Sequence, residues 1–68
     1  MADNIDPKLT ILRRREVQSL TGLSRSTIYK RIQERTFPQP IKLGGHAVGW
    51  RAGDIEAWLQ DPSSYRSP

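Results

Sequence analysis

Apolar residues recur at helical spacing in two neighbouring stretches of the chain. Val17 and Leu20 are three residues apart, and Ile28 and Ile32 are four residues apart. Side chains at such spacings lie on the same face of an α-helix. The pattern therefore predicts one helix over residues 13–21, with Val17 and Leu20 on its inner side. It also predicts a second helix that buries Ile28 and Ile32.

The junction between these two helices carries a stop signal and a start signal. Gly22 can adopt the left-handed backbone conformation that ends a helix. Two residues later, the hydroxyl of Ser24 can accept a hydrogen bond from an unpaired amide at the start of the next helix. A helix, a glycine turn and a capped helix together form the pattern of a helix-turn-helix. The alternative is an ordinary two-helix corner whose outer face is solvated.

Apolar spacing predicts two further elements. Residues 52–60 carry Ile55, Trp58 and Leu59 at positions i, i+3 and i+4, which predicts a third helix. Residues 8–12 alternate briefly and contain β-prone side chains, which predicts a short first strand. Two prolines after the second helix prevent its continuation, because proline lacks an amide hydrogen.

Two short apolar stretches before the third helix predict an antiparallel hairpin. A four-residue loop pairs Leu43 with Val48. It also pairs Ile41 with Trp50, so the apolar residues face each other across the hairpin. Lys42 then points to the other face. The predicted fold is mainly α with a small β-hairpin, in the order β-α-α-β-β-α: a winged helix-turn-helix with three helices and a two-stranded wing.

A chain of 68 residues allows one domain with a small core. The polar segment 1–7 is predicted to be a flexible N-terminal arm. Residues 61–68 are rich in proline and serine and are predicted to be a flexible tail, which leaves 8–60 as the folded domain. The predicted core consists of Val17, Leu20, Ile28, Ile32, Trp50, Ile55 and Trp58.

Positive charge is concentrated in the middle of the chain. The formal net charge is +4. Residues 13–51 hold nine basic and two acidic residues, a net +7, whereas the two ends hold two basic and five acidic residues, a net −3. The positive charge therefore lies on the predicted helices and hairpin and not on a tail. This distribution indicates a polyanionic partner.

Polar side chains lie on the outer side of the second helix. At about 100° per residue, Ser26, Lys30 and Gln33 fall opposite the apolar edge. Tyr29 lies beside them, and Arg25 lies in the exposed first turn. Because such side chains can read base edges in the major groove, this helix is predicted to be the recognition helix. A solvated face is the alternative.

Further contacts are predicted outside the recognition helix. Arg14 belongs to a run of three arginines, which is either a solvated face or a set of phosphate contacts. Lys42 lies on the predicted hairpin. The glycine-rich tip with Gly45 could approach a nucleic-acid backbone closely. His46, at the same tip, is either a turn residue or a contact to a phosphate or to the groove.

The sequence does not favour catalysis or metal binding. It contains no cysteine, and the single histidine has no second ligand at metal spacing. Ser24 has no paired base and is better explained as a cap than as a nucleophile. No apolar run is long enough for a signal peptide or a membrane span. We expect a non-enzymatic, cytoplasmic and nucleoid-associated protein, without cofactor, metal, membrane or small-molecule substrate.

Taken together, several motifs between residues 9 and 60 resemble the AlpA family of prophage-type DNA-binding regulators. The first lies within Leu12 to Leu23. The others are Ser24-Arg25-Ser26-Thr27-Ile28-Tyr29, Phe37-Pro38-Gln39-Pro40-Ile41-Lys42-Leu43-Gly44, Val48-Gly49-Trp50 and Ile55-Glu56-Ala57-Trp58-Leu59. One departure is Gly53, where the family often has a serine that helps to start the last helix.

The resemblance implies a fold related to excisionases and to the MerR-like winged helix. In that arrangement the second helix enters the major groove and the hairpin is a wing. The resemblance thereby implicates the stretch from Ser24 to Lys30, including Thr27, in recognition. It also implicates the tip from Gly44 to Ala47 in contact beside the groove.

These observations lead to one expected function and two alternatives. We expect a sequence-specific regulator of transcription from a prophage or integrative element that binds double-stranded DNA. One alternative is an excision factor that bends attachment-site DNA beside an integrase. The other is a small module that binds and inhibits a regulatory protein. The basic middle segment favours DNA, on which several copies are expected to associate.

Overall fold

The computed structural model describes residues 6–68. A 3-10 helix spans Pro7–Leu9 and precedes six regular elements. These are β1 (Ile11–Leu12), α1 (Arg14–Thr21), α2 (Arg25–Gln33), β2 (Ile41–Gly44), β3 (Ala47–Arg51) and α3 (Ala52–Gln60). The predicted three helices and their order are confirmed. Of the predicted arm, residues 1–5 lie outside the described residues, whereas Asp6 caps the 3-10 helix by accepting a hydrogen bond from the Lys8 amide.

The two ends of α1 are set by polar groups and by a glycine. The helix begins one residue later than predicted, because Arg13 is its N-cap and not its first residue. The Arg13 amide donates to the Glu16 carboxylate at 2.8 Å. At the other end, Gly22 has a φ of 76° and its amide donates to the Gln18 carbonyl at 2.8 Å. The predicted glycine stop is therefore confirmed.

The start of α2 also follows the prediction. The Ser24 hydroxyl accepts a hydrogen bond from the Thr27 amide at 3.2 Å, as an N-cap does. Ile28 is fully buried and Ile32 is half-buried. The predicted apolar edge of α2 therefore faces the interior.

The strands form one antiparallel sheet in the order β1-β3-β2. The prediction of a two-stranded wing is wrong in this respect, because β1 also pairs with β3. Ile11 lies opposite Arg51, and Leu12 lies opposite Trp50. The first strand is shorter than the predicted 8–12, since the 3-10 helix occupies its first residues.

The predicted register of the hairpin is wrong by one residue. Lys42 lies opposite Val48, and Ile41 lies opposite Gly49. The turn contains two residues and not four, and the pairing is irregular between Lys42 and Gly44. Because strand residues alternate between faces, this shift moves Ile41 to the face opposite Trp50 and places Lys42 on the face of Val48.

The register shift leaves an apolar surface on the outer face of the sheet. Leu43 is 41% exposed. A Cβ on Gly49 would lie 2.6 Å from Ile11 Cγ2 and 3.2 Å from Leu43 Cδ1. Only glycine therefore lets these two side chains close over the central strand without displacement.

The core consists of Val17, Ile28, Phe37, Trp50, Ile55 and Trp58. One predicted core residue is wrong, because Leu20 is 54% exposed. Leu59, which belongs to the apolar spacing of α3, is 42% exposed. Three residues of an α-helix turn through about 300°, so the Leu20 side chain lies about 60° around the helix axis from Val17. Only a narrow strip of this short helix faces the core, and Leu20 lies outside that strip.

Phe37 is a core residue that apolar periodicity does not predict. Its ring packs edge-on against Trp58 at 5.1 Å and against Trp50 at 6.5 Å between ring centroids. The two indole N–H groups donate to the carbonyls of Thr36 and Pro38, at 3.0 and 2.9 Å. Both tryptophans therefore hold the segment between α2 and β2 by its backbone.

The C-terminal segment, predicted to be a flexible tail, folds back onto the domain. Tyr65 packs against the core, where burial and then the charge of Asp54 raise its pKa. The Ser67 amide donates to the Arg35 carbonyl at 2.9 Å. Gln39 Nε2 donates to Ser67 Oγ at 3.2 Å. Residues 61–68 thereby contact the end of α2 and the segment that follows it.

Candidate nucleic-acid interface

A groove opens where both helices of the α1–α2 pair begin, beside the hairpin tip. Its volume is about 360 Å³. We call it the basic groove, and its lining residues are Arg13, Arg14, Arg15, Arg25, Tyr29, His46 and Val48. Four of these side chains are guanidinium groups, and none is a carboxylate. The groove therefore suits an anionic ligand.

The α2 side of the basic groove holds Arg25 over an aromatic ring. Arg25 Cζ lies 5.9 Å from the centroid of the Tyr29 ring, within the range of a cation–π contact. Both residues are exposed. Because Arg25 lies in the first turn of α2 and Tyr29 one turn further along, the ring supports the guanidinium and leaves its hydrogen-bond donors free for a ligand.

The α1 side holds two arginines through hydrogen bonds. Arg14 Nη1 donates to Gln18 Oε1 at 2.7 Å, one turn along the same helix. Arg13 Nε donates to the Val48 carbonyl at 3.0 Å, across the groove in β3. These bonds restrict both side chains before any ligand binds.

Two of the predicted contact residues, Ser24 and Thr27, form hydrogen bonds within the protein. The Ser24 hydroxyl caps α2 and also donates to Thr27 Oγ1 at 2.9 Å. Thr27 is half-buried. Ser26 is exposed, with its hydroxyl 3.4 Å from that of Ser24. The hydrogen bonds of Ser24 and Thr27 therefore assign these two side chains to capping the start of α2.

The remaining predicted residues are exposed but lie outside the lining of the basic groove. Lys30 and Gln33 lie further along α2, and Lys42 lies on β2. Gly45, with a φ of 55°, forms the turn together with His46. Of the hairpin residues predicted to contact DNA, the groove includes only His46.

The sequence does not indicate the contact between Arg13 and Val48, although both residues line the groove. The two positions are 35 residues apart. In the sequence, Arg13 does not differ from its arginine neighbours, and Val48 is predicted only to share a strand face with Trp50. Only the three-dimensional position of β3 beside the start of α1 reveals the bond.

A second concave surface lies between the 3-10 helix and α3, with a volume of about 340 Å³. We call it the α3 cleft, and its lining residues are Asp6, Pro7, Lys8, Ala52, Gly53 and Glu56. A Cβ on Gly53 would lie 2.9 Å from Lys8 Cβ. Gly53, which stands where the resembled family often has a serine, therefore permits the close approach of the 3-10 helix to α3.

Two further observations on residues 6–68 concern metal binding and membrane insertion. In this part of the chain, no three His, Cys, Asp or Glu side chains are grouped so that they could hold a metal ion. Over the same residues, no helix combines the length and the apolar character needed to span a bilayer.

Two relatives are similar over most of this chain. Over 48 residues it is 48% identical to the uncharacterized protein ORF88 of Enterobacteria phage P4, a match that covers 71% of this chain and 54% of that protein. The chain thus spans about half the length of the phage relative. Over 55 residues it is 38% identical to the DNA-binding transcriptional activator AlpA of Escherichia coli K12. This match covers 72% of this chain and 79% of that protein.

No solved structure gives a significant match. The sequence model of one family matches residues 10–63, which include all three helices and the whole sheet. That model describes the prophage CP4-57 regulatory protein AlpA. The chain therefore belongs to the AlpA family of prophage regulatory proteins.

Proposed function

We propose that this protein is a sequence-specific regulator of transcription that binds double-stranded DNA and serves a prophage or integrative element. In this proposal residues 8–60 act as a winged helix-turn-helix, with α2 in the major groove and the β2–β3 hairpin beside it. The basic groove carries the proposal, because it joins four arginines from two helix starts to the hairpin tip. The name of the Escherichia coli relative, a DNA-binding transcriptional activator, supports it.

The contact residues divide into those that read bases and those that hold the backbone. Arg25 presents a planar fork that can pair with guanine O6 and N7. Ser26, Lys30 and Gln33 extend the reading face along the outer side of α2. Arg14 lies at the start of α1, the helix that crosses the phosphate backbone in such folds.

The hairpin supplies the second part of the interface. Lys42, Gly45 and His46 are exposed there. In this proposal, Lys42 and His46 contact phosphates, and Gly45 lets the turn approach the backbone. We also infer that the protein acts in the cytoplasm, associated with the nucleoid.

A comparison of Arg25→Ala with Arg14→Ala tests this division. Arg25→Ala should weaken the specific site by about 1–3 kcal/mol and relax the preference at one base pair. Arg14→Ala should weaken all sequences alike and make the salt slope shallower by about one unit. The measurement is a competition titration against cognate and scrambled duplexes at several salt concentrations. If Arg25→Ala lowers both affinities equally, Arg25 is a phosphate contact.

The same contacts would serve an excision factor, so the target site decides between the two roles. Footprinting across the promoters and attachment sites of the host element is the test. Protection over a promoter supports transcription control. Protection at clustered repeats beside a recombination core, with an integrase, would replace it with excision. Protection that spreads with protein concentration would indicate association of several copies on DNA.

A further inference from the structure

Arg13 makes a contact that its place in the arginine run does not explain. Its Nε–H group donates to the Val48 carbonyl at 3.0 Å. Arg13 is the N-cap of α1, whereas Val48 lies in β3, two residues after the hairpin turn. The bond therefore joins the start of the helix pair to the hairpin.

This bond extends the pairing between β1 and β3. Ile11 and Leu12 pair with Arg51 and Trp50 through their backbones. After Leu12 the chain turns away to begin α1, so β1 offers no further backbone partner. The side chain of Arg13 then donates to the next exposed carbonyl of β3 and satisfies a group that the strand leaves open.

The backbone of Arg13 is itself held in place. Its amide donates to Glu16 Oε1 at 2.8 Å, which closes the first turn of α1. One residue thus connects α1 to β3 through two hydrogen bonds, one from its backbone and one from its side chain. Because α1 is joined to α2 by a short glycine turn, the position of the hairpin is tied to the helix pair.

We propose that Arg13 is a positioning residue that holds the β2–β3 hairpin at a fixed distance from α2. This inference rests on the proposed DNA-binding function, in which both elements contact one duplex. A hairpin ordered in advance avoids the entropy cost of ordering it on binding. Arg13 therefore acts through geometry, whereas Arg14 and Arg15 act through charge.

Replacement by lysine separates geometry from charge. Arg13→Lys keeps the positive charge but removes the Nε–H donor, and a lysine ammonium group extends beyond the position of that donor. Arg51→Lys is the matched control, since the same change is made on an exposed arginine of β3 that lies outside the basic groove. Because both side chains are exposed, circular dichroism should show native folding for each variant.

The first measurement is amide hydrogen exchange of the free full-length protein by NMR. Arg13→Lys should accelerate exchange across the hairpin by about three- to tenfold, as expected for loss of one partly exposed hydrogen bond. Exchange in α2 should stay unchanged. Arg51→Lys should leave hairpin exchange at the wild-type rate.

The second measurement is titration with duplex DNA at several salt concentrations. Arg13→Lys should lower affinity by about three- to tenfold with an unchanged salt slope, because the charge is kept. Arg51→Lys should stay within about twofold of wild type, because it keeps the charge and lies outside the basic groove. Unchanged hairpin exchange in Arg13→Lys, or full wild-type affinity, would overturn the proposal. If the hairpin loosens but wild-type protein binds no duplex, the positioning role stands and the DNA-binding proposal fails.

Discussion

Two concave surfaces of similar volume lie on this small domain, about 360 Å³ for the basic groove and about 340 Å³ for the α3 cleft. The basic groove is lined by four arginines and a histidine without a carboxylate. The α3 cleft combines one lysine with the carboxylates of Asp6 and Glu56. Concavity alone therefore does not identify the interface. The sign and density of charge favour the basic groove as the proposed interface.

The helices that border the two surfaces also differ in how their charges match the helix dipole. The start of a helix carries partial positive charge, which favours acidic side chains and disfavours basic ones. Asp54 in the first turn of α3 follows this rule. The first turn of α2 carries Arg25 and no acidic residue, and that of α1 carries Arg14 and Arg15 beside Glu16. A bound phosphate would stabilise both the arginines and the helix starts, so the local conflict supports an anion-binding role.

Loss of the shared core should remove both surfaces at once. Trp58 is 4% exposed, packs against Phe37 and donates to the Thr36 carbonyl. Trp58→Ala should lower the free energy of unfolding by about 3–5 kcal/mol, which can unfold a domain of this size. Thermal and urea denaturation measure this change. Trp58→Phe, which keeps an aromatic ring but loses the N–H donor, should cost less. A normal melting curve for Trp58→Ala would mean that the core is misplaced.

A change confined to the α3 cleft should leave DNA binding intact. In Gly53→Ala the new methyl group meets Lys8 Cβ at 2.9 Å, so the 3-10 helix must shift. The better helix propensity of alanine, worth up to about 1 kcal/mol, opposes the lost packing. We expect a net stability change below about 1 kcal/mol and unchanged affinity for duplex DNA. Urea denaturation and DNA titration measure the two. If Gly53→Ala lowers the affinity for DNA as much as Arg25→Ala does, the α3 cleft and not the basic groove is the DNA-binding surface.

A smaller effect is expected inside the basic groove, where Tyr29 supports Arg25. Tyr29→Ala should weaken DNA binding by about 0.5–1 kcal/mol, because the cation–π contact is lost and Arg25 becomes more mobile. Tyr29→Phe keeps the ring and should bind like the wild type. Titration of both variants against one duplex is the measurement. Equal losses in both variants would show that the hydroxyl group, and not the ring, is needed.

The sequence predicts the helices well because their signals are local. Gly22 ends α1 by its backbone freedom, and Ser24 starts α2 by its hydroxyl. Both act within a few residues of their position. The bounds of α3 follow from its apolar spacing in the same way, and they match the structure at both ends.

The sheet and the core depend on contacts that are distant in sequence. The hairpin register changes with one irregular residue before Gly44, which no apolar pattern reveals. The burial of Phe37 depends on two tryptophans that donate to the backbone on either side of it. Likewise, the residues on the outer side of α2 follow from helical periodicity, whereas the bond from Arg13 to Val48 requires the folded sheet.

The most direct test of DNA binding through the basic groove is the salt dependence of affinity for duplex DNA. If four to six phosphates are neutralised, log K should fall against log salt with a slope of about −4 to −5. Glu56→Gln, in the α3 cleft, should keep that slope, whereas Arg14→Ala should reduce it by about one unit. A flat salt response, or no binding to any duplex at low salt, would contradict DNA binding and favour a protein partner.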